Sequence, residues 1–286
     1  MANLKEIRNR IATVSSTMQI TSAMKMVSAA KLKKAQDAIT AMRPYANKLT
    51  ELLQNLSSAF EGDSPSIFAV QREVKKVLVV AITSNKGLCG AFNTNIIKES
   101  QRLAREMYPG KQVDFATIGK KGNDILKKSQ NVIHNNNTVY DDLTFDEVAV
   151  IAEQLMTRFA KGDYDKIILV YNRFKNAATQ LMQVENFLPI APVEQEGGVP
   201  IDYIYEPSRE EIVETLIPKS LKMQLYKAVR DSFASEHGAR MTAMHKATDN
   251  AGELRDELTL HYNKARQAAI TGEILEIVGG AEALND

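Results

Sequence analysis

Tryptophan is absent from this sequence, and phenylalanine and tyrosine supply only 6% of its residues. A compact core usually carries more aromatic area, so much of the chain is expected to be helix packing through Leu, Ile, Ala and Met. There is one cysteine, Cys89, which excludes an intrachain disulfide and makes a reducing compartment the default. Net charge is +1, so bulk charge selects no partner. No window reaches the ~18 uncharged apolar residues that would mark a membrane span. The start, Met1–Ile11, carries charges every few positions and holds no apolar core for a signal peptide. His134, His237, His245 and His261 are not spaced i, i+4 and have no cysteine pair beside them, which argues against a metal site. No carboxylate pair or Ser/His/Asp order stands out. As a candidate enzyme the sequence is nearly empty.

What is present is a long seam. Alternating steps of 3 and 4 from Leu4 pass through Ile7, Ile11, Val14, Met18, Thr21, Lys25, Ser28, Leu32, Ala35, Ile39, Met42, Ala46, Leu49, Leu53, Leu56 and Phe60. Only Thr21, Lys25 and Ser28 are polar, and they are consecutive. A period of 3.5 over that length predicts a supercoiled helix from about Asn3 to Ala59, kinked at Pro44. The polar break argues for a specific neighbour there. The segment Glu61–Ser66 ends the pattern. Strands are then expected at Val74–Thr83, Val113–Ile118, Lys166–Tyr171 and Leu181–Leu188. Helices are expected at Ala91–Met107, near Lys120–Lys128 and at Phe145–Phe159. This alternation predicts an α/β domain with parallel pairing. From Ser208 the chain reads as helix again, interrupted at Pro218, with a small-residue seam of Met244, Ala247, Ala251, Leu254, Leu258, His261, Ala265, Ala268, Gly272, Leu275 and Gly279.

The predicted division is therefore 1–60 helix, 74–205 α/β domain and 208–286 helix. Neither helix can bury its stripe on so small a domain, so the two pair with each other. The first helix ends at the α/β domain and the last begins there, which makes the pair antiparallel. If Leu56 lies near Ile212, then Thr21–Ser28 lies opposite about Arg240–Ala247, and Leu4 near Lys264. By that count, residues beyond about Ala269 have no partner in this chain.

One loop could carry chemistry. Thr83–Asn93 (TSNKGLCGAFN) follows a strand and precedes a helix, where phosphates often sit. It matches neither GxxxxGK[ST] nor GxGxxG. A tight strand–helix turn and an anion site are the two readings. Cys89 sits between Gly87 and Gly90, which suits packing more than nucleophilic attack. The first helix is basic, with Lys31, Lys33 and Lys34 closest together, which suits either a solvated face or an acidic partner.

Three segments resemble one family. Ile7–Lys31 (IRNRIATVSSTMQITSAMKMVSAAK) resembles the N-terminal helix of γ subunits of F-type ATP synthases. Ser84–Asn93 resembles that family's S-D-[KR]-G-L-C-G turn, with Asn85 where Asp is usual. Ala234–Ala283 resembles its C-terminal helix and contains ITxExxExxxGAxA. The resemblance covers the full length. It implies a long antiparallel coiled coil of the terminal helices plus a central Rossmann-like α/β domain, acting as the non-catalytic rotor shaft of a proton-translocating enzyme. The implied partners are the α and β subunits of the catalytic head, the ε subunit and the c-subunit ring, with no cofactor and no nucleic acid. The implied place is the cytoplasmic side of a bacterial inner membrane, peripherally bound. The head-facing positions it implies are Met24, Lys25, Lys31, Lys33, Lys34, Arg240, Arg266, Gln267, Thr271 and Glu273. The length count above, not the resemblance, adds Ile274, Ile277 and Val278 of the unpartnered apolar tip. The foot positions are Tyr203, Tyr205 and Glu206. Two rival readings stay open: an enzyme with a nucleotide site in the α/β domain, and a general coiled-coil scaffold.

Overall fold

The computed structural model describes residues 4–57, 67–190 and 209–282. Two long helices enclose the α/β elements in sequence. Helix α1 is Leu4–Ser57 and the last helix, α5, is Arg209–Glu282. At 1.5 Å per residue they run about 80 Å and 110 Å. Between them come β1 (Lys76–Ile82), α2 (Phe92–Arg102), a π turn (Leu103–Met107) and β2 (Gln112–Ile118). Then follow α3 (Lys120–Leu126), β3 (Val132–Asn136), a 3-10 turn (Thr138–Tyr140), α4 (Phe145–Ala160), β4 (Lys166–Phe174) and β5 (Gln180–Leu188). Among the described residues, no helix is long and apolar enough to cross a membrane.

Contacts divide the chain into two compact units, Met1–Ser28 with Met241–Asp286, and Ala29–Arg240. The expected boundaries follow changes of sequence pattern; these fall inside the two long helices.

The first unit is an antiparallel helix pair. Thr248 Oγ1 donates to Thr21 Oγ1 at 2.8 Å, and Arg8 Nη2 donates to Tyr262 Oη at 2.7 Å. A methyl on Gly252 would meet Met18 Sδ at 3.9 Å. These pairs lie within a residue or two of the register expected from length alone. Every expected α1 seam position from Leu4 to Leu49 is buried or half-buried. The polar steps belong to this seam: Thr21 and Ser28 are buried, and their hydroxyls donate to the carbonyls of Met18 and Met24. The hydroxyls of Thr21 and Ser28 are thus satisfied within the chain, and Lys25 between them is half-buried.

The α5 seam is corrected. Leu254, His261 and Ala268 are exposed, while Thr248, Arg255, Tyr262 and Ala269 are half-buried. A 3-4 count admits two interleaved phases. Apolar content favoured the wrong one, because Thr248 and Tyr262 enter the seam through hydrogen bonds. The expected interruption at Pro218 is also corrected, since α5 is continuous through it. Ile217 and Leu221 on either side are buried in the core, and that packing offsets the lost backbone bond.

The second unit holds a five-stranded sheet in the order β3-β2-β1-β4-β5. All pairs are parallel except β4 with β5. The two faces separate by alternation along β1. Leu78, Val80 and Ile82 pack with α4 and with Leu221, Leu225 and Val229 of α5. Val77, Val79 and Ala81 pack with Phe92, Ile96 and Ile97 of α2 and Leu126 of α3. Thr144 caps α4, its hydroxyl accepting from Glu147 N. Strand β3 gives no strand signal in the sequence because three of its five residues are polar and it has no apolar run (VIHNN).

Candidate functional site

Strand β1 ends at the sheet's switch point, where the chain turns toward β2 on one side and β4 lies on the other. Doubly wound folds place ligands in this crevice. Here the amides that open α3 and the polar side chains of the turn after β1 bind one another. The amides of Lys120, Lys121 and Gly122, which open α3, donate to Asn85 Oδ1, Ser84 O and Thr83 Oγ1 at 3.0, 3.0 and 2.9 Å. Asn93 Oδ1 accepts from Ser84 N at 3.0 Å. These bonds favour the tight-turn reading of TSNKGLCGAFN over an anion site. Asn85 Nδ2 also donates to Asn137 O at 2.6 Å, a bond an aspartate could not make when ionised.

Cys89 is buried against Asn93 Nδ2 at 3.3 Å and Ser84 Oγ at 3.8 Å. Burial pushes its thiol pKa up, with the Ser84 hydroxyl pulling it back. That thiol is a packing group, not an activated nucleophile. Leu88 beside it holds φ 61 and leaves its side chain 66% exposed. A bulky residue in the left-handed region with an uncovered side chain is a candidate contact point that the sequence reading missed.

The far side of this turn is closed by α5. Arg240 is 7% exposed. Its Nη1 pairs with Glu236 Oε1 at 2.7 Å, and its Nη2 donates to Lys86 O at 3.0 Å. Nε and Nη2 both reach Gly87 O at 3.3 Å. Burial raises the Glu236 carboxyl above its ordinary range, while Arg240, Lys31 and Lys86 pull it back. Arginine only donates, so at 3.4 Å from Arg240 Nη1 the His237 Nδ1 is the acceptor and the ring proton sits on Nε2. That Nε2 is buried with no partner among the described residues.

Burial, then the charges of Arg240 and Lys31, lower the His237 pKa to about 3. The folded state therefore holds the ring neutral, while the unfolded state protonates it near pH 6.5. Below that pH the unfolded chain binds more protons and stability falls until pH approaches 3. Urea melts at pH 6 and pH 5 should show wild type losing up to about 1.4 kcal/mol per pH unit more than His237→Gln. Equal losses in the two proteins would disprove a neutral buried ring.

The site residues expected from the sequence now have places. Lys31, Lys33 and Lys34 are exposed, and Lys33 pairs with Asp37 at 3.0 Å. Met24 and Lys25 are half-buried. Arg266, Gln267, Thr271 and Glu273 are exposed on α5, with the Thr271 hydroxyl donating to Gln267 O at 2.9 Å. Ile274, Ile277 and Val278 are exposed by 55%, 70% and 55%. Arg240 is turned inward instead, because Glu236 lies one helical turn before it and the turn's carbonyls lie beside it. Tyr203, Tyr205 and Glu206 lie outside the described residues. Among the described residues, no group of His, Cys, Asp and Glu could hold a metal ion.

A family model described as ATP synthase matches residues 3–284. The ATP synthase gamma chain of Flavobacterium psychrophilum is 73% identical over 99% of both chains, and that of Christiangramia forsetii 67% identical over 100% of both. The chain belongs to the ATP synthase gamma chain family. Two solved structures share its fold. One is a chain of the Tetrahymena thermophila mitochondrial ATP synthase central stalk and c-ring, with TM-score 0.60 and 28% identity, covering 80% of this chain and 99% of that one. The other is a chain of the Euglena gracilis mitochondrial ATP synthase, with TM-score 0.74 and 24% identity, covering 98% and 94%. The gamma chain fold is thus an α/β domain with a mainly parallel sheet, and long terminal helices paired antiparallel in the unit described above.

Proposed function

We propose that this gamma chain is the central rotor shaft of a proton-translocating F-type ATP synthase, non-catalytic itself. It couples rotation of the membrane c ring to conformational change at the catalytic β subunits. One asymmetric shaft inside a ring of alternating α and β subunits presents a different face to each β subunit. Each β conformational equilibrium then shifts by its differential contacts. On this reading the protein is peripheral, on the cytoplasmic side of a bacterial inner membrane, with ε and the c ring at its foot. Met24, Lys25, Lys31, Lys33, Lys34, Arg266, Gln267, Thr271 and Glu273 face the head.

The observation that carries the reading is the far end of α5. Helix α1 begins at Leu4, and Arg8 already meets Tyr262. Past that level the helix continues to Glu282 and exposes Ile270, Ile274, Leu275, Ile277 and Val278. Each large apolar side chain left in water forgoes about 1.5–3 kcal/mol of burial. A surface of this kind fits an apolar sleeve supplied by the head. An apolar sleeve also suits rotation, since it offers no directional hydrogen bonds that would hold one angle.

The test is the triple change Ile274→Ser, Ile277→Ser and Val278→Ser. Circular dichroism of the free chain should be unchanged, while the purified complex should release its shaft at lower temperature than wild type. If the free chain unfolds and the complex holds it as firmly as before, the tip packs on its own protein and the sleeve reading fails.

A further inference from the structure

We propose that residues 232–240 of α5 are an anchorage that fixes the helix in the sheet's switch-point crevice, with Arg240 and Glu236 as its latch. The proposal rests on the rotor reading above.

Three contacts hold this stretch at the C-terminal edge of the sheet. Ser232 Oγ donates to Ile82 O, at the end of β1, at 3.5 Å. Gly238 lies against the β4–β5 turn, where an added Cβ would stand 3.3 Å from both Cα and O of Ala177. Arg240 binds the carbonyls of Lys86 and Gly87 in the turn after β1. Glu236, one helical turn earlier, pairs with the same guanidinium and is as buried as its partner, each at 7% exposure. Where related folds leave room for a ligand, this chain has inserted its own helix.

The chemistry of the latch differs from that of the rest of the helix. Apolar side chains such as Leu221, Leu225 and Val229 bury α5 on the sheet, but their attraction has no direction. A helix held by such contacts alone can twist about its axis under load. A planar guanidinium with donors on two carbonyls and a carboxylate has one productive orientation. It therefore sets the angle of α5 relative to the turn. Because α5 is one continuous helix from Arg209 to Glu282, torque carried along it ends at this anchorage. Arg240 and Glu236 are positioning residues on this account.

The experiment uses the assembled complex in membrane vesicles and reads protons pumped per ATP hydrolysed. Removing Arg240 alone strands a buried carboxylate, so any structural role would also suffer. The double change Arg240→Met, Glu236→Met removes both charges and keeps the volume. The free double variant should melt close to wild type and its complex should hydrolyse ATP. Pumping per ATP should fall by roughly fivefold, the low end of typical coupling between sites. A wild-type ratio in the double variant overturns the latch. If the double variant fails to assemble, Arg240→Lys decides. It keeps the charge beside Glu236 but lacks the fork for two carbonyls, so its ratio should also fall, and a wild-type ratio again overturns the proposal. Failure of the rotor reading looks different: the tagged wild-type chain would then not co-purify with an ATP-hydrolysing complex.

Discussion

Gly119→Ala should abolish folding of the α/β domain. Gly119 follows β2 with φ 104 and ψ 145, a backbone state essentially reserved for glycine. An added Cβ would stand 2.2 Å from Thr83 O and 2.7 Å from Thr83 C. Those atoms are backbone, and they cannot yield. Thr83 N donates to Ile118 O at 2.8 Å, and Gly119 N donates to Asn136 O at 2.8 Å, so the neighbouring strands are joined at this point. Relieving the clash would break the ladder that joins β1, β2 and β3. The expected cost is above about 4 kcal/mol, in the range reserved for named structural failures. Soluble yield and urea unfolding of the full chain measure it. A midpoint close to wild type would mean that the turn can rebuild itself, and the tight packing inferred at the crevice would be wrong.

Phe159→Ala should cost about 3–5 kcal/mol through the cavity it leaves. The ring is fully buried in the last turn of α4, in the same core as Tyr164, Ile167 and Leu188. Arg72 lies over it at 5.1 Å and also donates to its carbonyl at 3.1 Å, so the ring anchors the segment that leads into β1. Gly162 N closes the helix on the same carbonyl at 3.0 Å. Val150, on the outer face of α4 and 53% exposed, is the control. Its change to Ala should stay within about 0.5 kcal/mol. A loss below about 1 kcal/mol for Phe159→Ala would show that the core collapses around the gap.

The helix elements were legible because their signals are periodic and long. The α1 seam repeats every 3.5 residues from Leu4 to Leu49, and each of those positions is buried or half-buried. Strands β1 and β4 were legible as runs of buried β-branched and aliphatic residues. Strand β3 was not, because its five residues include His134, Asn135 and Asn136 and carry no such run. Pro218 misled for a related reason: a local penalty was visible, and the core packing that offsets it was not. The turn after β1 was visible as a motif. Its chemistry was not, since Glu236, His237 and Arg240 reach it from about 150 residues further along the chain, as in the Arg240–Lys86 hydrogen bond.

By itself the sequence determined two long helices, an α/β domain between them, an antiparallel pairing with nearly the right register, and the family to which the chain belongs. Those conclusions rest on local periodicity, on chain length and on contiguous motifs, all of which survive without coordinates. Only the tertiary structure decided the α5 seam, where hydrogen bonds with Thr21 and Arg8 select Thr248 and Tyr262 over more apolar neighbours. Only it turned Arg240 from a surface contact into a buried partner of Glu236 and the glycine turn. Periodicity reports which residues avoid water, but a buried polar group is chosen by a partner distant in sequence, and that partner is brought into reach only by the fold.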